Sequence, residues 1–87
     1  IGEIEKSLEI ANRGIEFCNK HKLLSGLEHL LFFKALSEKK LYSDERYIHT
    51  TRRLFNTIAI FEETELTTKF YSAIKRNLGF TKDDFFK

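Results

Sequence analysis

Apolar residues recur along this chain at intervals of three and four, which is the spacing of one face of an α-helix. Over residues 2–20 the stripe comprises Ile4, Leu8, Ala11, Ile15 and Cys18. It predicts an amphipathic first helix. Gly14 lies inside that helix, where it costs about 1 kcal/mol relative to alanine, so we expect a second helix to pack closely against it.

The same pattern predicts two more long helices in the middle of the chain. Residues 24–40 are apolar on every side of the helical wheel around Leu30–Phe33, which is typical of a helix covered by several neighbours. Ser43 is predicted to cap a third helix that extends to about Glu62, because two acidic residues follow it in the first turn.

The last part of the chain predicts a fourth helix and a short final turn. Thr64 is predicted to cap this helix and Gly79 to end it, with Phe80 making the usual hydrophobic contact. The stretch Thr81–Asp84 resembles a capping box and predicts one further turn that leads into Phe85–Phe86. Because the predicted connections are short, successive helices should lie antiparallel, and the expected class is all-α.

The apolar stripes repeat at a spacing of about 40 residues. Four stripe residues of the first helix are echoed 40 positions later, and three of the second helix are echoed 39 positions later. The pairs are Leu8/Ile48, Ala11/Thr51, Ile15/Phe55, Cys18/Ile58, Leu27/Leu66, Leu31/Phe70 and Ala35/Ile74. A helix–turn–helix unit of this length, present twice, is typical of helical repeat arrays. We therefore expect antiparallel hairpins stacked as a short solenoid, a fold that usually binds a partner.

Composition narrows the classes of function. The 87 residues make one domain, and the net charge of +2 comes from Lys and Arg residues scattered among acidic ones. This charge is too small and too dispersed for a nucleic-acid interface. The most apolar run, Leu23–Leu36, is too short and too polar to cross a membrane. A single cysteine suits a reducing cytoplasm, where we expect the protein to be located.

Residues with candidate chemistry are few. Cys18 and His21 have a spacing that can place two ligands on one metal ion, with His29 and His49 as further ligands. Cys18 lies on the apolar stripe, however, where it is expected to be a small core residue, so no metal site is predicted. The acidic pairs are expected on the solvated surface, and the sequence has no phosphate loop or nucleophile motif. We predict that the protein is not an enzyme and has no cofactor.

Basic and aromatic residues are the remaining candidates. Arg52–Arg53 and Lys75–Arg76 are small basic clusters, expected on a charged outer face. Lys34 interrupts the apolar face of the second helix and either covers packed residues with its stem or lines a groove. Several aromatic residues exceed what a core of this size buries, so some should cover a neighbouring repeat, a dimer partner or a ligand. They are Phe32, Phe33, Tyr71, Phe85 and Phe86.

Two stretches of the chain resemble a known family. Residues Ser7–His21 look like the second helix of a tetratricopeptide-type repeat, because small residues stand where helices touch, at Ser7, Ala11 and Gly14. Residues Leu27–Glu38 resemble the next first helix as it occurs in cytoplasmic helix-turn-helix regulators of Gram-positive bacteria, the Rgg, PlcR and PrgX-like proteins. The resemblance covers about Glu5–Phe80.

The chain departs from the family pattern in two places. Ala35 stands where glycine is expected, which is a mild change because alanine is also small. Lys40–Tyr42 replace a Leu-Gly turn. The sequence begins inside a helical pattern and contains no methionine, so we expect it to be the C-terminal part of a longer protein.

The resemblance implies a function in regulation. In such proteins a C-terminal tetratricopeptide-like domain binds a short signalling peptide and commonly dimerises, and the bound peptide shifts the population of the regulator's conformations. The second and fourth helices would line a concave face, where a lysine meets a carboxylate and an asparagine bonds the peptide backbone. The residues expected to bind the peptide or a protein partner are Phe33, Lys34, Ser37, Lys69, Ala73 and Asn77.

Alternative functions remain at this stage. A stand-alone four-helix bundle, such as a bacteriocin immunity protein, has similar length and charge, although such a bundle needs no internal repeat. A capping piece of a scaffold without a ligand and an enzyme are two further alternatives. We also hypothesise that the tail Phe85–Phe86 occupies the chain's own groove, so that removing Asp84–Lys87 would raise the affinity for a peptide.

Overall fold

The computed structural model describes residues 2–23, 26–42, 45–60 and 65–85. Within these ranges the chain forms four α-helices and one 3₁₀ turn, which confirms the predicted all-α class. The helices are α1 (Gly2–Lys20), α2 (Leu27–Leu41), α3 (Glu45–Ile58) and α4 (Glu65–Leu78), and the 3₁₀ turn is Lys82–Asp84. None of the helices in the described ranges combines the length and the hydropathy that a membrane crossing needs.

Two helix boundaries differ from those predicted. The helix predicted over 24–40 begins at Leu27, because Gly26 adopts the left-handed conformation with a φ of 90°. The third helix ends at Ile58 rather than near Glu62, and its last turn tightens as the Ile60 N–H donates to the Thr57 carbonyl oxygen at 3.2 Å. Other predictions lie outside the described residues: the caps Ser43 and Thr64, and Phe86.

Helix α2 is the centre of the molecule. It packs against α1, α3 and α4, which explains why its sequence is apolar on every side. Residues early in α1 meet residues late in α2, since Ile4 and Ser7 share a groove with Ser37 and Lys40. Helices α1 and α2 are therefore antiparallel.

Helices α2 and α4 lie parallel to each other. The Phe32 and Phe70 ring centroids are 5.6 Å apart, and further along both helices the Lys39 ammonium donates to the Asn77 carbonyl oxygen at 3.1 Å. Helix α3 connects them. The Phe55 ring stacks on Tyr71 at 5.8 Å, and the Tyr47 ring, earlier in α3, lies 6.0 Å from the Phe80 ring, which follows α4, so α3 runs antiparallel to α4. This packing is compatible with two stacked hairpins.

The 40-residue echo is also present in the burial pattern. Both members are buried in the pairs Ala11/Thr51, Ile15/Phe55, Cys18/Ile58 and Ala35/Ile74. The pair Leu27/Leu66 breaks the pattern, since Leu27 is buried and Leu66 is exposed. Equivalent positions of α1 and α3 thus face the interior in the same way, as expected for repeated units.

Gly14 marks the closest approach of α1 and α2. A β-carbon at this position would lie 2.9 Å from a terminal methyl group of Leu30. This confirms the predicted close packing at Gly14, because even a β-carbon there would require the Leu30 side chain to shift.

The last described part of the chain, up to Phe85, folds as predicted. Gly79 has a φ of 80°, and its N–H donates to the Ile74 and Lys75 carbonyl oxygens, which ends α4. The capping box is present, with the Thr81 backbone N–H donating to the Asp84 carboxylate at 2.7 Å. This turn directs Phe85 back onto the folded domain.

Candidate functional site

The six residues predicted to contact a ligand lie on α2 and α4. On α2, Phe33 is 55% exposed, Lys34 is half-buried and Ser37 is buried. On α4, Lys69 and Asn77 are exposed and Ala73 is half-buried. These three are spaced by four residues and share one helical stripe, and Ala73 and Asn77 also stand three and seven residues after Phe70.

Aromatic rings join the two helices into one surface. Phe33 lies against Phe32 with ring centroids 6.1 Å apart, and Phe32 lies against Phe70. His29 contacts the same Phe70 ring at 5.1 Å. One turn before Phe70, Leu66 is 72% exposed. We name this surface the α2–α4 face and define it as His29, Phe32, Phe33, Leu66, Lys69, Phe70, Ala73 and Asn77.

The polar groups of the α2–α4 face have defined neighbours. The Lys69 ammonium lies 3.6 Å from the Glu65 carboxylate, and both side chains are well exposed. The Asn77 side-chain amide donates to the Ala73 carbonyl oxygen at 2.8 Å. The ion pair is solvated and therefore weak, so a ligand carboxylate can compete with Glu65 for Lys69.

A concave surface lies between α1 and α2. It has a volume of about 370 Å³. We name it the α1–α2 groove, and its lining residues are Ile4, Ser7, Ile10, Ala11, Leu30, Phe33, Leu36, Ser37 and Lys40. Two of the predicted ligand residues, Phe33 and Ser37, thus lie toward α1 as well, and Phe33 borders both surfaces.

The sequence analysis missed two exposed apolar residues of α1, of which Ile10 lines the α1–α2 groove. Ile10 is 66% exposed and Phe17 is 56% exposed on the same side of α1. The 40-residue offset gives the missing signal, because it aligns these positions with Thr50 and Thr57 of α3, both of which are buried. A comparison of flanking positions, and not only of the core stripe, would have identified them.

The hypothesis that the tail Phe85–Phe86 occupies the chain's own groove places Phe85 differently from the structure. The Phe85 ring packs against Phe55 and Phe80, with centroid distances of 5.4 Å in both cases, and Arg52 lies over it at 5.5 Å. Phe85 therefore covers the α3 side of the domain. The surplus aromatic residues Phe32 and Tyr71 are likewise half-buried.

The candidate metal ligands are dispersed. Cys18 is buried in the core, as predicted from its position on the apolar stripe. His21 is exposed and packs on the Phe17 ring at 4.3 Å, while His29 lies at the α2–α4 face. In the described part of the chain, no three His, Cys, Asp or Glu side chains come together as metal ligands would.

Comparison with known proteins gives no relative from which a function can be transferred. No protein-family model matches the chain, and no significant match is found among curated proteins or solved structures. The geometry of the two surfaces is therefore the basis for assigning a function.

Proposed function

We propose that this chain is a ligand-sensing, protein-interaction domain that binds a short peptide or a partner segment along the α2–α4 face. Following the resemblance in its sequence, we place it in a cytoplasmic, dimeric transcription regulator of the Gram-positive helix-turn-helix type. In this proposal the domain itself has no catalytic activity. Ligand binding would favour one packing of the hairpins and so bias the attached parts of the regulator.

The continuous apolar surface across two parallel helices is the observation that carries this proposal. Phe33 and Leu66 present most of their side chains to solvent at its two sides, and the rings of Phe32 and Phe70 connect them. Exposed aromatic and aliphatic side chains that form one contiguous surface are typical of interaction sites. Lys69 adds a positive charge beside this apolar surface, and it suits a carboxylate of the ligand.

The test uses heptapeptides selected from a random displayed library against the immobilised chain, with the affinity then measured by titration calorimetry. Phe33→Ser and Leu66→Ser remove apolar area from opposite sides of the α2–α4 face, and each should weaken the affinity about tenfold. Ile60→Ser is the matched control, because Ile60 is 63% exposed and follows α3. It should change the affinity by less than about twofold.

Two results would contradict the proposal. One is a selected peptide that binds both face variants as tightly as the original chain. The other is a loss of affinity with Ile60→Ser that equals the loss with Phe33→Ser, because that would show non-specific adhesion to any exposed apolar side chain.

A further inference from the structure

A second apolar stripe runs along the exposed side of α1. Its positions are separated by alternating steps of four and three, and they are Ser7, Ile10, Gly14, Phe17 and His21. Ile10 and Phe17 are the two large apolar members, and both are more than half exposed. Residues with this spacing occupy one side of a helix. Leu30 covers this side of α1 at Gly14, whereas Ile10 and Phe17 leave apolar surface uncovered in addition to the core stripe.

The internal repeat shows what kind of element fits this stripe. Adding 40 to Ile10 and Phe17 gives Thr50 and Thr57 of α3, which are buried. On that flank of α3, the Thr50 hydroxyl donates to the Glu38 carboxylate of α2. Helix α3 is thus covered by a helix on the side that α1 exposes. Equivalent flanks of repeated units take equivalent neighbours.

The α1–α2 groove has the geometry for such a helix. Ile10 and Ser7 form one wall, and Phe33 and Leu36 form the other. The internal repeat makes α1 equivalent to α3, and α2 equivalent to α4. A helix in this groove would therefore occupy the position beside α1 and α2 that α2 itself occupies beside α3 and α4. It would therefore run antiparallel to α1 and parallel to α2.

The charges beside the groove define the chemistry of the occupant. Lys6, Arg13 and Lys20 form an exposed row spaced by seven residues, and each is one helical turn from Ile10 or Phe17. Lys40 lines the groove from the α2 side. Arg13 pairs with Glu9 at 2.6 Å, and Glu3 is the acidic residue at the start of the stripe. The rim is predominantly basic, which favours an acidic flank on the occupant.

We propose that the α1–α2 groove binds an amphipathic helix of a partner protein, with an apolar stripe against Ile10, Phe17 and Phe33 and acidic residues facing the basic row. The helix runs antiparallel to α1, so that its C-terminal end lies near Lys6 and Lys40. This polarity is favourable because the carbonyl end of a helix carries partial negative charge. The proposal concerns a second surface and does not depend on peptide binding at the α2–α4 face.

A second copy of the chain is a poorer occupant. The helix that the repeat would place in the groove is α4 of another molecule. The charged residues of α4 are Glu65, Lys69, Lys75 and Arg76, all exposed, so α4 has a net positive charge and would be placed beside the basic row of α1. Like charges across an interface are repulsive, whereas an acidic helix gains from the same row.

The test uses two synthetic 18-residue helical peptides with the same leucine stripe, one flanked by glutamates and one by lysines. Each is about 27 Å long, which matches α1. Binding to the whole chain is followed by fluorescence anisotropy. The glutamate-flanked peptide should bind about tenfold more tightly, and Ile10→Ser and Phe17→Ser should each weaken it about fivefold or more. Ile60→Ser and Leu66→Ser serve as controls and should leave it within about twofold.

Orientation is read out with a nitroxide label at either end of the glutamate-flanked peptide. A label at the C-terminus should broaden the amide signals of Ser7 and Lys40, and one at the N-terminus those of Phe17 and Leu27. The opposite pattern would overturn the proposed orientation.

Three further results would overturn the proposal itself. They are equal affinity for the two peptides, equal binding by a peptide with a central proline that prevents helix formation, and self-association of the chain that Ile10→Ser abolishes. The last result, from sedimentation, would assign the groove to a second copy. Leu66→Ser changes the α2–α4 face alone. Failure of the groove proposal can therefore be distinguished from failure of the proposal that a peptide binds the α2–α4 face.

Discussion

At the scale of single residues, the main surprise is a buried polar pair between α2 and α3. Glu38 and Thr50 are 7% and 5% exposed, and the Thr50 hydroxyl donates to the Glu38 carboxylate. A glutamate in the run Ser37–Lys40 is expected on the surface from sequence. Its burial depends on how α3 docks on α2, which a single-sequence pattern does not contain. The pair fixes the alignment of the two helices, because a buried carboxylate needs its donor.

Removing the Thr50 hydroxyl should therefore destabilise the fold. We expect Thr50→Val to lower the free energy of unfolding by about 1–3 kcal/mol, since it leaves the shape of the side chain but deprives a buried carboxylate of a hydrogen bond. Thr57→Val is the matched control, because the Thr57 hydroxyl bonds only its own helix, at the Arg53 carbonyl oxygen among the described contacts. Thr57→Val should lower the free energy of unfolding by less than Thr50→Val does. Urea unfolding measures both, and equal losses would contradict the role assigned to the pair.

At the scale of helices, the sequence was most informative where local chemistry decides the outcome. The end of α4 at Gly79 and the capping box at Thr81–Asp84 follow from a few neighbouring residues and are confirmed. The close contact at Gly14 was also predicted, since a glycine in mid-helix has a cost that packing must offset. The predictions for the start of α2 and the end of α3 were less accurate, because the geometry of the adjoining turn decides these boundaries.

Filling the space at Gly14 should separate α1 from α2. We expect Gly14→Leu to lower the free energy of unfolding by about 1–3 kcal/mol through overpacking, even though leucine favours helix formation. Leu30→Ala in the same chain should recover part of this loss, because it removes the methyl groups that the new side chain meets. Gly2→Ala, at an exposed position, is the control. Purely additive effects of the two substitutions would contradict a direct Gly14–Leu30 contact.

The C-terminal turn should act as a cover of the core rather than as a competitor for the ligand. We expect Phe85→Ala to lower the free energy of unfolding by about 1–2 kcal/mol, because the half-buried ring packs on Phe55 and Phe80. The affinity of a selected heptapeptide should stay unchanged. An increased affinity would instead support the hypothesis that the tail occupies the ligand site.

At the scale of the whole molecule, the repeat gave the class and the order of helices but not the exposed surfaces. The core pairs of α1 and α3 are buried alike, as the 40-residue echo indicated. The parallel arrangement of α2 and α4 depends on contacts between residues 38 positions apart, such as Lys39 with Asn77. The predicted ligand residues remain predictions, since geometry places them near apolar surfaces without showing what binds there.

Nuclear Overhauser contacts test this arrangement independently of any ligand. A parallel α2–α4 pair should give contacts between the Phe32 and Phe70 rings together with contacts between Lys39 and Asn77. An antiparallel pair would instead bring Phe32 toward Asn77. Observing that crossed pattern would remove the equivalence of the two helices, and with it the repeat argument for the α1–α2 groove.

The most direct test of the proposed function is to map a selected heptapeptide by chemical-shift changes of the backbone amides of the whole chain. The account predicts saturable shifts at the residues of the α2–α4 face, which are His29, Phe32 and Phe33 of α2 together with Leu66, Lys69, Phe70, Ala73 and Asn77 of α4. Shifts confined to α3, or to the exposed residues Glu5, Glu9 and Glu16 of α1, would contradict the assignment of the α2–α4 face as the ligand site.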